Sequence, residues 1–464
     1  MATETVDSPV ERLESELKGD LVTPEDGDVY DDARRVWNGM INRRPAMVAR
    51  CEGVADVQTA VRYAREFDLP IAVRGGGHGV SGRATVDDGL VIDLEHMNWV
   101  QVDPDSRRVR AGAGATWGDV DRETQLFGLA VPGGVVSDTG IAGLTMGGGM
   151  GHVRRKYGLS CDNLVSADVV TADGEFITAS EDDHEDLLWA LRGGGGNFGV
   201  VTAFEYDCHP VGPKVAMCFV WHEGERTMEA LEFFREYSED APDEVSLVPF
   251  CAWVPELEEF PETSWGDPAI AFLGCYSDDP EEGTEALRPI REFADPIVDF
   301  SGTIPYVELQ SLLDEDYPHG RLYYWKSLYL EDLNDDVIES IIACAERCPV
   351  PLSTIDIWQG GGAVARVDED ETAFPYRDVP YGLNFEANWD DPRQTEVAVE
   401  WVRDSIAQMR KHPEAHGQYV NFPGLEEDPS GVPFGEHAEK LAQIKAKYDP
   451  EGVFRAHGNL QVRE

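Results

Sequence analysis

One glycine-rich loop constrains the fold of this chain more than any other feature. An apolar run at 69–73 is followed by Arg74-Gly75-Gly76-Gly77-His78-Gly79-Val80-Ser81-Gly82. Glycine has no Cβ, so such a loop can adopt positive φ and bring several backbone N–H groups close to a diphosphate. The loop therefore predicts an anion-binding site directly after a β-strand.

The same loop contains a G-x-G-x-x-G pattern, which residues 77–82 supply. This pattern indicates a Rossmann fold only when a helix follows at once and an acidic residue comes about 20 positions later. Here a turn at 86–89 leads to another apolar strand at 90–94. The Rossmann interpretation therefore fails, and His78 taken alone would be an ordinary loop histidine.

Two further glycine clusters follow, at 132–151 and at 192–202. The second cluster has too many glycines for a packed helix and too few charges for a solvated linker. We interpret it as backbone that lies against a second, flat part of the same ligand. The third cluster leads directly into a predicted strand at 200–206.

The charge of the chain excludes several classes of partner. Its 464 residues include 89 acidic and 38 basic side chains, a net charge of −51, which repels nucleic acid and anionic membranes. The acidic residues are spread along the whole sequence, as on a surface adapted to strong salt, where screening removes the self-repulsion. We predict a halophilic protein of haloarchaeal origin with no nucleic-acid or membrane partner.

The sequence also lacks targeting and metal-binding patterns. No apolar run approaches the roughly 18 residues of a membrane span, and no basic segment leads into an apolar one at the start. We therefore expect a cytoplasmic protein. Its eight cysteines are scattered and form no C-x-x-C pair, so we predict reduced thiols and no metal site.

The composition changes along the chain and divides it into four parts. Residues 1–40 are a polar lead-in, and residues 41–212 contain the glycine clusters. Residues 213–430 are rich in aromatic side chains, and their alternating strands and amphipathic helices predict an antiparallel sheet covered on one face. Residues 431–464 form a C-terminal segment that contains a predicted helix at 437–448.

Seven motifs occur in the order found in one known family. They are the loop at 74–78, Ser137-Asp138-Thr139-Gly140 leading to Gly147-Gly148-Gly149, and the segments 155–159, 195–199, 323–327, 419–422 and 448–451 before Asn459. Together they resemble the FAD-linked oxidoreductases of the vanillyl-alcohol oxidase / p-cresol methylhydroxylase fold, and within them the berberine-bridge-enzyme-like group. The resemblance implies an α+β fold with a two-part FAD-binding domain (41–212 plus the returning segment 431–464) and a substrate-binding domain (213–430).

The resemblance implies FAD as the cofactor and His78 as its covalent attachment point, through the 8α-methyl group. Many relatives add a bond to a cysteine, but Val136 occupies the matching position, so we expect a single covalent link. The expected cofactor-binding residues lie in the glycine clusters and the C-terminal motifs. They are Arg74, Gly75, Gly76, Gly77, His78, Gly79, Gly82, Pro132, Gly133, Asp138, Thr139, Gly140, Gly143, Leu144, Gly148, Gly149, Gly151, Gly196, Asn197, Gly199, Val200, Val201, Tyr419, Asn421 and Asn459.

The resemblance also implies a set of catalytic residues. Tyr419 and Asn421 match the family's Tyr-x-Asn motif, with Tyr419 as the base and Lys326 as a cation that lowers its pKa. Asn384 occupies the strand position where relatives place Glu or Gln at the substrate. Met150 stands where plant alcohol-oxidising relatives have a tyrosine after the triple glycine.

The expected reaction is hydride transfer to FAD from the CH–OH group of a sugar or another alcohol. An amine oxidase of the nicotine-oxidising type is an alternative, and a flavin-binding protein without turnover is another. Oxygen or a different acceptor would reoxidise the flavin, because Thr139 leaves both oxidase and dehydrogenase open. The sequence gives no indication of oligomeric state.

Overall fold

The computed structural model describes residues 9–425 and 432–454. Up to residue 210 the chain alternates short strands and helices. These elements are α1 (Pro9–Glu16), β1 (Leu21–Val22), α2 (Asp28–Ala33), β2 (Met47–Arg50), α3 (Val54–Glu66), β3 (Ile71–Arg74), β4 (Leu90–Asp93), β5 (Val100–Asp103), β6 (Arg108–Gly112), α4 (Trp117–Thr124), β7 (Leu129–Ala130), α5 (Ile141–Met146), α6 (Arg154–Tyr157), β8 (Leu164–Val170), β9 (Phe176–Ala179), α7 (Glu185–Leu191), β10 (Val200–Asp207) and β11 (His209–Pro210).

A four-stranded sheet presents the first glycine loop. Its order is β1-β2-β4-β3, with β2, β4 and β3 parallel to one another. Helix α3 connects β2 to β3 and buries Val57, Ala60, Val61 and Ala64 in the core that this sheet shares with the rest of the first half. The glycine loop begins where β3 ends, as the sequence predicts.

A five-stranded antiparallel sheet, ordered β5-β6-β10-β8-β9, packs beside it. The predicted hairpin in the segment 165–178 is confirmed as β8 and β9. The expectation that the second glycine cluster contains no helix was wrong, because α5 lies within it. This helix tolerates Gly143, which costs about 1 kcal/mol of helix propensity, because the position opens onto a cavity where a Cβ would meet no atom within 4 Å.

The second half is built on one large sheet. Its elements are β12 (Lys214–Glu223), α8 (Thr227–Asp240), β13 (Val245–Trp253), β14 (Pro268–Tyr276), α9 (Pro280–Arg291), β15 (Val298–Asp299), β16 (Gly302–Pro305), α10 (Tyr306–Gln310), β17 (Leu322–Leu330), α11 (Asp335–Ala345), β18 (Thr354–Gln359), α12 (Ala363–Arg366), β19 (Tyr381–Trp389), α13 (Thr395–Met409) and β20 (Ala415–His416).

All pairings in this nine-stranded sheet are antiparallel, in the order β15-β12-β14-β13-β18-β19-β17-β20, with β16 paired to β12. Helices α8, α11 and α13 pack on one face and bury a large apolar core. The opposite face turns toward the first half of the chain. The predicted α+β fold, with an antiparallel sheet covered by helices, is confirmed.

The C-terminal helix α14 (Ala438–Tyr448) returns to the first half and packs on α7. Lys445 lies buried there and donates hydrogen bonds to Asn197 O at 2.7 Å, Phe454 O at 3.2 Å and the carboxylate of Asp449. The third glycine cluster is thereby fastened to the end of the described chain. In the part of the chain that the structure describes, no helix is long and apolar enough to cross a membrane.

Candidate active site

A cavity of about 780 Å³ lies between the glycine loops and the open face of the nine-stranded sheet. One wall comes from the three glycine clusters, and the other comes from side chains of β12, β13, β17, β18 and β19. This volume falls within the usual range of ligand pockets. The cavity therefore brings the predicted cofactor half and the aromatic half together around one space.

Backbone contact between two glycine loops shapes the first wall. A Cβ on Gly76 would lie 2.5 Å from Gly140 N, and one on Gly140 would lie 2.4 Å from Gly76 N. Gly77 adopts a φ of +68°. Glycine is therefore required here for close approach and for the left-handed turn.

The structure separates the predicted cofactor residues into two groups. Those that line the cavity are Gly75, Gly76, Gly77, His78, Gly79, Thr139, Gly140, Gly143, Leu144, Gly196, Gly199, Val201, Tyr419 and Asn421. Those of the described residues that do not line it are Arg74, Gly82, Pro132, Gly133, Asp138, Gly148, Gly149, Gly151, Asn197 and Val200. Asn459 lies outside the described residues.

Arg74 illustrates why a motif residue can miss the ligand. Its guanidinium turns away from the cavity, pairs with buried Asp93 at 2.5 Å and donates to Ala33 O at 2.6 Å. The expected cofactor contact of Arg74 is therefore corrected: this residue fixes the base of the loop. By contrast, the sequence analysis missed Arg83, which lines the cavity beside the loop and whose pKa burial lowers to about 10.

His78 has a tightly defined environment. Its ring stacks on Trp37 with a centroid distance of 4.2 Å, and Trp37 stacks in turn on Tyr323 at 3.7 Å. Its Nε2 lies 3.2 Å from Asp138 Oδ1, and the second oxygen of Asp138 lies 2.9 Å from His319 Nε2. His78 is thus held both by stacking on its face and by a carboxylate at its edge.

Tyr419 and Asn421 lie at the triple glycine. The phenol oxygen of Tyr419 accepts hydrogen bonds from Gly149 N at 3.1 Å and from Asn421 Nδ2 at 2.9 Å. Burial raises the pKa of Tyr419 to about 12, although both hydrogen bonds oppose this shift. At neutral pH the group is therefore a phenol that can donate its own proton.

The expected role of Lys326 was wrong. Lys326 shares the face of β17 with Tyr324, which bonds to Arg403 of α13, whereas Trp325 on the other face lines the cavity. Burial and the nearby Arg410 and Arg403 lower the pKa of Lys326 to about 8. Because side chains alternate along a strand, Lys326 points into the helix layer and not toward Tyr419.

Asn384 lies on the same face of β19 as residues that line the cavity, but it is not part of the lining itself. It is buried on β19, opposite Ser327 of β17 and Asp356 of β18. The residues two and four positions later, Glu386 and Asn388, do line the cavity. The expected substrate contact of Asn384 is therefore corrected to these two neighbours on the same face.

A buried carboxyl pair is the main functional feature that the sequence analysis missed. Glu386 and Asp356 both line the cavity, hydrogen-bond to each other and are less than a tenth exposed. The hydroxyl of Tyr317 donates to Glu386 Oε2 at 2.9 Å. Burial raises the pKa of Asp356 to about 6 and, together with the charge of Asp356, raises that of Glu386 well above its ordinary value. At neutral pH the pair holds one proton and one negative charge.

Aromatic side chains surround this pair. Trp325 makes edge-to-face contacts with Tyr317 and Phe422 at centroid distances of 5.5 Å and 5.1 Å, and its indole N–H donates to Asn388 Oδ1 at 2.7 Å. Trp221 and Trp358 also line the cavity. The indole nitrogens of these two have no hydrogen-bond partner among the described residues.

Comparisons with known proteins agree with this architecture. Family models described as "FAD binding domain" and "Berberine and berberine like" match residues 45–180 and 418–461. The chain is 33% identical over 429 residues to an FAD-linked oxidoreductase of Dictyostelium discoideum, covering 92% of this chain and 90% of that protein.

Solved structures extend the likeness across the whole fold. The 6-hydroxy-D-nicotine oxidase of Arthrobacter nicotinovorans aligns with a TM-score of 0.85 and 27% identity over 96% of this chain and 98% of that one. The xylooligosaccharide oxidase of Myceliophthora thermophila C1 aligns with a TM-score of 0.86 and 21% identity over 98% and 100%. The fold and the cavity define a flavin-dependent oxidoreductase. The chain belongs to the berberine-bridge-enzyme-like family of FAD-linked oxidoreductases.

The residues present fit FAD. Gly79 and Gly143 present open backbone to the cavity, since a Cβ at either position would meet no atom within 4 Å. Arg83 supplies a positive charge beside the first glycine loop, where a diphosphate is expected. The cavity continues from these glycines to Tyr419 and the carboxyl pair, so a bound flavin and a small substrate would share it.

Proposed function

We propose that this flavoprotein oxidises a small amine at the carbon next to the nitrogen, using FAD bonded to His78. The observation that carries this proposal is the buried pair of Glu386 and Asp356 in an aromatic cavity. A single negative charge at this place suits a substrate that arrives as an ammonium ion. The likeness to a nicotine oxidase supports the same substrate class.

The remaining charges of the cavity support a cationic substrate. Beyond residue 213 the acidic residues in the lining are Glu259, Glu308, Asp316, Asp356 and Glu386, and Arg321 is the basic one. The guanidinium of Arg321 is already bonded to Asp390 at 3.0 Å and to Asp316 O at 2.6 Å. In this half of the cavity an incoming cation therefore meets carboxylates and one arginine that is already paired.

The chain's own groups can carry out the proton transfers of this reaction. Asp356 accepts the ammonium proton and leaves the amine lone pair free, while Glu386 keeps its own proton. Trp325 and Tyr317 pack around the substrate and keep water out. When bound, FAD supplies the two-electron acceptor for the hydride from the neighbouring carbon.

The attachment and the conditions of action form part of the same proposal. His78 lines the cavity and is the attachment residue, and Val136, which also lines it, cannot form a thioether, so one covalent bond is expected. Oxygen or another acceptor reoxidises the flavin. The acidic composition supports action in the cytoplasm of a salt-accumulating cell.

Oxidation of a CH–OH group, in a sugar or another alcohol, is the second candidate. The position of Tyr419 beside the triple glycine favours it, because a phenol there could exchange a proton with a substrate hydroxyl. The raised pKa of Tyr419 weakens a role as base at neutral pH. The carboxyl pair is ionised at neutral pH and can accept a proton there, and for this reason we place the amine first.

Anaerobic reduction of the bound flavin tests the proposal. The purified protein is mixed in concentrated KCl with 6-hydroxynicotine, with other tertiary and secondary amines, and with xylobiose and simple alcohols, and bleaching of the visible flavin band is followed. We expect amines to bleach the flavin and sugars to leave it oxidised. Bleaching by xylobiose without any response to amines would assign the second candidate instead.

Two isosteric variants sharpen this test. Asp356→Asn removes the negative charge, whose attraction for an ammonium about 4 Å away is about 4 kcal/mol at an effective dielectric constant of 20. Part of this is offset by desolvation, so we expect amine affinity to fall roughly 100-fold. Asp332→Asn, at an exposed position just after β17, should leave it unchanged.

A further inference from the structure

His78 has two ring nitrogens, and the structure distinguishes them. Nε2 lies 3.2 Å from Asp138 Oδ1, within ion-pair distance, and both atoms are buried without a well-aligned hydrogen bond to any described residue. Trp37, which is fully buried, stacks on the ring and fixes its plane. Rotation that would exchange the two nitrogens is therefore opposed by stacking on one side and by the carboxylate at the edge.

Asp138 is itself held in place by a second histidine. Its Oδ2 lies 2.9 Å from His319 Nε2, so each oxygen of the carboxylate faces one imidazole. Burial by itself would raise the pKa of Asp138, but the hydrogen bond with His319 and the nearby imidazole of His78 outweigh it and hold this pKa well below its ordinary value. Asp138 therefore stays ionised and can act only as a hydrogen-bond acceptor toward His78.

We propose that Asp138, held by His319, is a positioning residue that prepares His78 for attachment to FAD. An ionised acceptor at Nε2 keeps the ring proton there, so Nδ1 carries the lone pair that forms the bond. This inference rests on the proposed attachment of FAD to His78. It adds His319, which no motif in the sequence indicates, and it gives Asp138 of the 137–140 motif a role toward His78.

The attachment step balances with dioxygen as the oxidant. A bond forms between Nδ1 and the 8α-carbon of the flavin, and one C–H bond of the 8α-methyl group breaks. The ring gives up its Nε2 proton through Asp138, and the methyl carbon gives up a second proton. The two electrons left on the flavin pass to dioxygen, which takes up both protons and leaves as hydrogen peroxide.

The acid-stable flavin of purified protein measures this step without any substrate. The protein is incubated with excess FAD in air, samples are precipitated with acid over time, and intact mass gives the fraction that carries the adduct. Native flavin absorbance on the same samples measures FAD binding separately. The variants are Asp138→Asn, His319→Ala and His319→Gln, with His416→Ala as the control, because His416 does not line this cavity.

We expect Asp138→Asn to bind FAD and to attach it roughly 10- to 100-fold more slowly, the effect of losing a hydrogen bond to a charged group. His319→Ala should also slow attachment, and His319→Gln should restore part of the rate, because its amide can still donate to Asp138. The control should match the wild type.

Each result that would contradict the proposal can be recognised separately. An Asp138→Asn protein that holds FAD and attaches it at the wild-type rate would overturn the proposal. If Asp138→Asn loses FAD altogether, the two His319 variants test the proposal instead. Slower attachment in His319→Ala with recovery in His319→Gln supports it, and wild-type rates in both variants overturn it. Wild-type protein whose FAD is fully released by acid would overturn the attachment itself, whatever its activity toward amines.

Discussion

Replacing Glu386 with glutamine should stabilise this protein, increasingly so as the pH rises. Folded Glu386 holds a proton because burial and the charge of Asp356 raise its pKa well above the ordinary value. In the unfolded chain the same side chain ionises near its ordinary pKa of about 4.3. The folded state thus binds one more proton than the unfolded state, so stability falls as pH rises through this window.

The size of the effect follows from that single proton. Each pH unit between the two pKa values costs about 1.4 kcal/mol of folding free energy. The gap between the wild type and Glu386→Gln should therefore widen with each pH unit up to the folded pKa of Glu386. Glutamine does not titrate, and its amide can still accept from Tyr317 and donate to Asp356, so Glu386→Gln removes this loss without leaving a polar atom unpaired.

Urea unfolding at pH 5, 6 and 7, followed by circular dichroism in concentrated KCl, measures this difference. Glu400→Gln, an exposed position on α13, is the matched control and should show no widening gap to the wild type. Parallel stability curves for the wild type and Glu386→Gln would refute the reasoning, because they would mean that Glu386 is ionised in the folded state. Such a gain in stability at a cavity residue is expected where a site keeps a costly group for function.

Other parts of the molecule give further expectations. Lys445→Met leaves the buried carboxylate of Asp449 without its cation and should lower the unfolding free energy by about 3–5 kcal/mol. Lys447 is exposed, so Lys447→Met should lower it little. Tyr419→Phe removes an acceptor shared by two N–H donors and should lower stability by about 1–3 kcal/mol in urea unfolding. The hydrogen bond to Asp138 raises the pKa of His319, so NMR should show this imidazole titrating above about 6.5. Its stabilising contribution should be complete below that pH and decline as pH rises through the folded pKa. Finally, with a net charge of −51, the melting temperature should rise steeply between about 0.1 M and 1 M KCl.

The glycine loops of the flavin half were predictable because close backbone approach at these positions requires glycine. At Gly76 and Gly140 two chains approach so closely that any side chain would clash. Such positions demand one residue type, and their spacing is visible in the sequence. The helix α5 escaped prediction because the same glycines that allow close approach also lower helix propensity.

The substrate half was not predictable to the same degree because its sheet is buried on both faces. Along β17 three consecutive aromatic residues, Tyr323 to Trp325, precede Lys326, so the sequence does not mark which face meets the cavity and Lys326 was assigned to the wrong side. In β19 a pattern was present: Asn384, Glu386 and Asn388 are polar at every second position of an otherwise apolar strand. This alternation indicates a polar surface on one face. The pairing of Glu386 with Asp356 still needs the strand register.

The contrast between the two halves explains how one fold can serve different substrates. Backbone contacts among glycines fix the cofactor side, whereas the substrate side depends on a few alternate side chains of β17, β18 and β19. Those side chains can change without altering strand register or the helix layer behind the sheet. A nicotine oxidase and a xylooligosaccharide oxidase both share this architecture. The charge state of Glu386 and Asp356, rather than the flavin loops, should therefore decide which class of substrate this chain accepts.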